Sequence, residues 1–314
     1  MNLYTLASPD SAVAPAAPEL RDRFGRRIDY VRVSVTDRCD LRCSYCIPKG
    51  FKDFEEPAHW LTFDEMERLL GVFVRLGVRR VRLTGGEPLL RRGLPDLARR
   101  LSALGVDDLS LSTNGTQLRH QAHALRQAGV QRLNVSLDSL RRECVEQLSG
   151  RDSLQQVLDG LQAAQVAGFD RIKINMVVMA TTPDADIDAM VDFCRQHAFV
   201  LRLIEAMPMG DSGRSAGTVD LQQVARRLRQ RFDLHETAQP LGAGPARYLS
   251  SADGDFSVGF ITPMSQHFCA TCNRVRLAVD GTLYLCLGQE EKLELGPLLR
   301  GGASDSELET AIRQ

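Results

Sequence analysis

Residues 30–46 read YVRVSVTDRCDLRCSYC, and this stretch decides the fold. Val31, Val33 and Val35 point one way, while Arg32, Ser34 and Thr36 point the other. A period of two is that of a strand with one buried face. Three cysteines follow at once: Cys39, Cys43 and Cys46, spaced C-x3-C-x2-C. Working outward, further strand-like runs cover 79–84, 108–113, 132–138, 171–178 and 200–205, with helical patterns between them. The clearest helix covers 62–76. Thr62 and Glu65 form a capping box before it, and Gly77 stops it. Strand and helix alternating six times predict βαβ units around a parallel sheet.

Parallel strands are usually apolar on both faces. These alternate instead. Val81 and Leu83 oppose Arg80 and Arg82, and Leu109 and Leu111 oppose Ser110 and Ser112. Leu133, Val135 and Leu137 oppose Asn134, Ser136 and Asp138. Ile172 and Ile174 oppose Lys173 and Asn175, and Leu201 and Leu203 flank Arg202. Helices take the apolar face, so the polar, partly cationic face must line something else. A closed eight-stranded barrel fills its interior with branched apolar side chains. Six strands with a polar interior predict an α/β fold of the partial (β/α)6 TIM type, open and holding a large anionic ligand. An antiparallel sheet with one solvated face is the alternative, and the long intervening helical stretches disfavour it.

After residue 206 the texture changes. A Gly/Ser-rich loop covers 207–217, a basic helix 219–232, and short strands 246–251 and 255–262. A hairpin over 275–287 turns at Asp280-Gly281. The chain divides into a disordered leader (1–20), the partial barrel (21–218) and a small C-terminal module (219–314). Cys269, Cys272 and Cys286 form a second three-thiol set there. His267 can complete a Cys3His zinc site, so zinc and iron–sulfur both stand as readings of these residues. The first set has three thiolates on one loop. In a four-iron cluster this leaves one iron without a protein ligand, as in catalytic metal centres. Cys144 and Cys194 lie in helical stretches and read as packed thiols, and His59, His120, His123, His197 and His235 as ordinary residues.

The chain has 314 residues, with 39 Lys and Arg against 40 Asp and Glu. With 43% hydrophobic and 25% charged residues it is neither disordered nor membrane-spanning, and without a basic excess nucleic acid is not its partner. Eight cysteines, six of them clustered, suit metal chemistry in a reducing cytoplasm rather than a disulfide scaffold. The leader lacks the basic start and apolar core of a signal peptide.

The cysteine loop, followed by TGGEP (84–88) after the next strand, resembles the radical S-adenosylmethionine superfamily. Within it, the stretches DRFGRRIDYVRVSVTDRCDLRCSYCIPKG, RLTGGEPLLRR, LSTNG, NVSLDSL, RLIEAM and FCATCNRVRLAVDGTLYLCL resemble the GTP 3′,8-cyclase family, collinearly from about residue 21 to 305. The resemblance implies two [4Fe–4S] clusters, one on Cys39, Cys43 and Cys46 and one on Cys269, Cys272 and Cys286. It also implies S-adenosylmethionine as cofactor and GTP as substrate, converted to 3′,8-cyclo-7,8-dihydro-GTP in molybdenum cofactor biosynthesis. Carried over by motif, Tyr45, Gly86, Ser136 and Met207 resemble the S-adenosylmethionine contacts. Arg32, Arg82, Thr113, Lys173, Arg274 and Arg276 resemble the GTP contacts, and Arg80 is a further candidate. The first cysteine set with Arg274 and Arg276 is the implied catalytic set. The implied partners are a flavodoxin- or ferredoxin-type electron donor and a downstream cyclic pyranopterin monophosphate synthase, and a homodimer is compatible. Family members end in a Gly-Gly tail that supports catalysis. Residues up to Gln314 do not include it, so the expectation is binding of both clusters and both ligands, with turnover dependent on that tail.

Overall fold

The computed structural model describes residues 19–47, 50–52, 54–207, 217, 219–237, 241–242, 244–286 and 291–314. Nearly all of the leader and most of the 207–217 loop lie outside these.

The six predicted strands form as β1 (Tyr30–Ser34), β2 (Arg80–Thr84), β3 (Asp108–Thr113), β4 (Arg132–Ser136), β5 (Ile172–Val178) and β6 (Val200–Glu205). They pair in chain order, each parallel to the next. The crossovers are α1 (Phe63–Arg75), α2 (Leu94–Ala103), α3 (Leu118–Gln127), α4 (Arg142–Ser149) with α5 (Leu154–Val166), and α6 (Asp184–Gln196). The capping box of α1 forms as the sequence predicts. Thr62 Oγ1 accepts from the Glu65 amide at 3.2 Å, and the Glu65 carboxylate accepts from the Thr62 amide at 2.7 Å. The antiparallel alternative is excluded for these six strands.

The C-terminal segment joins the same sheet rather than stacking on it. After α7 (Leu221–Phe232) come β7 (His235–Glu236), β8 (Arg247–Ser250), β9 (Ser257–Ile261), β10 (Arg274–Leu277), β11 (Thr282–Tyr284) and β12 (Lys292–Glu294), then α8 (Leu295–Arg300) and α9 (Asp305–Arg313). The sheet order is β12-β11-β10-β1-β2-β3-β4-β5-β6-β9-β8-β7. Strand β10 runs parallel to β1 and β9 parallel to β6, so the barrel strands extend by one at each side. Antiparallel strands then finish both edges. The twelve strands among the described residues form one open sheet, as a partial TIM-type barrel requires.

One face of this sheet is the core. Val31, Val33, Val81, Leu83, Leu109, Leu111, Leu133, Val135, Ile174 and Leu201 are all fully buried, together with Met66, Leu69, Leu70 and Phe73 of α1 and Leu97 and Leu101 of α2. Val258, Phe260, Val275 and Leu277 of the C-terminal strands belong to the same cluster. The opposite face carries the charged residues of the sequence pattern. No helix among the described residues is long and apolar enough to cross a membrane.

Candidate active site

The cysteine loop is held by backbone on one side and by carboxylates on the other. The TGGEP turn zips onto it: the Gly86 amide donates to Thr36 O at 2.8 Å and the Glu87 amide to Arg38 O at 2.7 Å. A Cβ at Gly86 would fall on the Arg38 carbonyl oxygen and 2.5 Å from that of Asp37. The glycine requirement at Gly86 thus comes from the cysteine loop itself. Asp40, between the first two cysteines, accepts from Asn114 Nδ2 and Thr116 Oγ1, both at 2.7 Å. Asn114 Nδ2 also lies 3.8 Å from Cys39 Sγ. Glu87 is fully buried and accepts from the Leu89 amide (3.0 Å), Thr113 Oγ1 (2.7 Å) and the Asn114 amide (2.6 Å). Burial outweighs these donors and pushes its carboxyl up to about 7.

Several of the predicted contacts are thereby placed. Tyr45 is half-buried, and its hydroxyl donates to Asp138 Oδ2 at 2.6 Å; Asp138 also accepts from the Val177 amide at 2.8 Å. Ser136 is exposed at the C-terminal end of β4, and Met207 is half-buried just beyond β6. Thr113 is buried in the apolar phase of β3 with its hydroxyl on Glu87. Tyr45, Gly86, Ser136 and Met207 all lie at or beyond the C-terminal ends of the parallel strands, the end that carries Cys39, Cys43 and Cys46.

The donor chemistry fits a metal cluster here. The three thiols lie close enough to repel one another once ionised. Cys43 is pushed up to about 12, by burial first and then by Asp138, Cys46 and Cys39. Thiolates so crowded beside a carboxylate need a polycation, which a cluster's irons provide.

The second set lies at the other end of the sheet. Cys269 and Cys272 precede β10, which is parallel to β1, whereas Cys39–Cys46 follow β1. The strand between them is five residues, roughly 15 Å. Cys286 lies two residues beyond the end of the antiparallel β11, at the same end as Cys272. Cys272 and Cys286 both act on the Arg276 guanidinium, and Cys269 and Cys272 both act on Arg26. Arg26 also donates to Cys269 O at 2.6 Å and pairs with Asp22 at 2.6 Å. The three thiols thus lie around these two arginines, at the end of β10 opposite Cys39. His267 is exposed. Among the described residues no three thiols, imidazoles or carboxylates close to the separation of a single-ion site. A four-iron cluster places each cysteine on a separate iron and so takes them wider apart.

Between the two ends runs the cationic face. Arg32 stands level with Arg276 on one side and Arg82 on the other. Its Nε is buried with no hydrogen-bond partner among the described residues. Burial pushes its pKa well down, with Arg276, Arg82 and Arg274 adding to the effect. Arg82 and Arg274 lie over the Tyr30 ring at 5.4 and 5.5 Å. Arg82 Nε reaches Ser110 Oγ at 3.3 Å. Arg80 is paired with Asp29, and Arg132 with Asp108. Lys173 donates to Leu241 O and to the Tyr248 hydroxyl at 3.3 Å. Burial first, then Arg202, Arg132 and Arg82, push Lys173 down to about 7. A face of cations that disfavour one another's charge is arranged for an anionic ligand.

The structure thus brings Arg32, Arg82, Lys173, Arg274 and Arg276 onto one surface. Sequence reasoning passed over Tyr30, Arg132, Tyr248 and Arg26. Tyr30 and Arg132 are in phase with Arg32 and Asn134, so the period-two pattern contains them; Tyr248 reaches Lys173 on the face, and Arg26 reaches Cys269, through long-range packing that no local pattern carries. Cys194 is buried and Cys144 half-buried, as packed thiols are.

Comparison with known proteins agrees with this geometry. Residues 33–194 match the Radical SAM superfamily, and residues 199–314 match Molybdenum Cofactor Synthesis C. The chain is 44% identical to a GTP 3′,8-cyclase of Marinobacter nauticus, over 93% of this chain and 89% of that one. It is 45% identical to one from Erythrobacter litoralis, over 95% and 90%. Among solved structures, Streptococcus suis SuiB bound to S-adenosylmethionine shares the fold, with a TM-score of 0.66 at 16% identity over 93% of this chain and 69% of that one. A polar, cationic sheet face with one cysteine triad at each end, on a sequence this close to those relatives, places the chain in the radical S-adenosylmethionine superfamily and, within it, in the family of GTP 3′,8-cyclases.

Proposed function

We infer that the chain converts GTP to 3′,8-cyclo-7,8-dihydro-GTP, the first step of molybdenum cofactor biosynthesis. The observation that carries this reading is the cationic face lying between two cysteine triads, on which Arg32, Arg82, Lys173 and Arg276 stand together. Cys39, Cys43 and Cys46 would hold one [4Fe–4S] cluster, and Cys269, Cys272 and Cys286 a second. When bound there with S-adenosylmethionine, the first would supply radical chemistry able to take the ribose 3′ hydrogen. Tyr45, Gly86, Ser136 and Met207 border that end and would hold S-adenosylmethionine. Arg32, Arg82 and Lys173 meet the triphosphate by charge-assisted hydrogen bonds, and the buried Arg32 gains the partner it lacks. Arg274 and Arg276 stand nearest the second triad and would orient the guanine end, so that the ribose faces the first. Thr113 acts through Glu87, which anchors the TGGEP turn to β3. The reduced thiols suit a cytoplasmic setting. A flavodoxin- or ferredoxin-type donor would supply the electron, and a cyclic pyranopterin monophosphate synthase would take the product.

The test is anaerobic turnover with a reductant, S-adenosylmethionine, a supplied Gly-Gly-ended peptide and GTP deuterated at C3′. Deuterium in the 5′-deoxyadenosine formed, with GTP consumed and ATP inert, is the expected result. 5′-Deoxyadenosine free of deuterium, formed equally without GTP, would contradict the reading.

A further inference from the structure

The cations of the polar face differ in what holds them. Arg80 and Arg132 each sit on a carboxylate, Asp29 and Asp108. Arg202 does not. Its Nε donates to Asn175 Oδ1 at 2.8 Å, and an Nη donates to Asn134 Oδ1. Arg202 stands level with Asn175 on the adjacent strand and reaches across β5 to Asn134 on β4. Asn134 is itself fixed, since its Nδ2 donates to Leu111 O at 3.1 Å. Arg202 and Asn134 are both buried, 6% and 2% exposed. Its charged neighbours on the face are Lys173, Arg82 and Arg132, and Tyr248 and Tyr30 are its other titratable neighbours.

A buried guanidinium usually sits on a carboxylate, because desolvation of a lone cation is expensive. Two neutral amides satisfy the geometry of the fork while leaving the charge uncancelled. An aspartate at either place would hold Arg202 and neutralise it, at position 134 with the loss of the bond to Leu111 O. We propose that Asn134 and Asn175 are positioning residues: a neutral amide clamp that holds Arg202 with its charge free for the polyphosphate, and so sets the preference of the site for GTP over GDP and GMP. This rests on the GTP reading above. It assigns to two uncharged residues a role in counting ligand charge.

The test is binding of GTP, GDP and GMP to the anaerobically reconstituted protein, for wild type, Asn134→Asp and Asn175→Asp, with iron content and S-adenosylmethionine affinity measured alongside. In wild type, affinity should rise from GMP to GTP. Each Asp variant should lose about tenfold in GTP affinity but less than about twofold for GMP, about 1.4 kcal/mol against a few tenths. Iron content and S-adenosylmethionine affinity should be unchanged. A merely structural role would lower all three nucleotides together, or lower the iron content. That result, or an unchanged GTP preference in both variants, would overturn the clamp. A wild-type protein with no preference for GTP over GMP would overturn the substrate reading itself, and the clamp with it. Asn175 is half-buried rather than buried, so Asn175→Asp keeps the test open if Asn134→Asp fails to fold.

Discussion

Arg32 illustrates the physics of the site at the scale of one residue. It is a cation whose Nε is buried without a hydrogen-bond partner among the described residues, beside other cations, and so it weakens the ligand-free protein. Arg32→Met keeps the apolar stem and removes the charge. The unfolding free energy of the ligand-free protein should stay level or rise by about 1 kcal/mol, while GTP binding falls at least about thirtyfold. Denaturant titration and equilibrium binding check the two halves. Lys173 gives a pH signature. Its folded pKa, about 7, lies below the ordinary lysine value of 10.5. Between those values the unfolded chain binds more protons than the folded one, so this lysine makes stability increase with pH across that window. An anionic ligand restores the charge. GTP binding should therefore take up a proton above pH 7, and affinity should fall as pH rises from about 7 to about 9, by up to roughly tenfold per unit. Calorimetry in two buffers of different ionisation heat measures the proton, and Lys173→Arg should abolish the uptake. Gly86→Ala tests the cysteine loop. The added methyl would meet two carbonyl oxygens of that loop, costing at least about 2 kcal/mol and lowering iron retention at the first triad, while the second keeps its iron. The period-two pattern made the cationic face legible, because the phase of a strand is local. Which cation sits on a carboxylate and which on an amide was not legible. Asp108 and Arg132 meet only through the pairing of β3 with β4, and Arg202 and Asn134 only across β5.

At the scale of elements, α1 shows a prediction carried by chemistry alone. Thr62 and Glu65 cap each other, and the start of the helix is further pinned by the Leu61 amide on Val279 O at 2.7 Å. Thr62→Ala should cost about 1 kcal/mol of stability, seen as a lower urea midpoint with unchanged slope and unchanged nucleotide binding. The barrel strands were legible to within two residues, because alternation and turn glycines mark them locally. The C-terminal strands were legible as strands, but their place was not. Strand β10 joins β1 across most of the chain length, and β9 joins β6 after an intervening helix and hairpin. Periodicity says which face is buried and nothing about which edge a strand joins.

At the scale of the molecule, that topology explains why the two cysteine triads lie at opposite ends of the cationic face. The C-terminal segment returns to both open edges of the six-stranded sheet. By running parallel to β1, β10 brings Cys269 and Cys272 to the end opposite Cys39. The same strands protect edges that would otherwise expose Val31, Val33, Leu201 and Leu203 beside unpaired backbone. A chain ending at residue 218 should therefore aggregate or unfold without cooperativity, which size-exclusion chromatography and thermal melting would show. On the function proposed above, both triads would hold four-iron clusters at the two ends of one cationic face. The most direct measurement of this is iron, sulfide and zinc on a single anaerobically reconstituted sample. About eight iron and eight sulfide per chain with negligible zinc, falling to about four of each in a Cys269→Ser, Cys272→Ser double variant, is the predicted result. About four iron with one zinc per chain, the zinc lost in that variant, would contradict it.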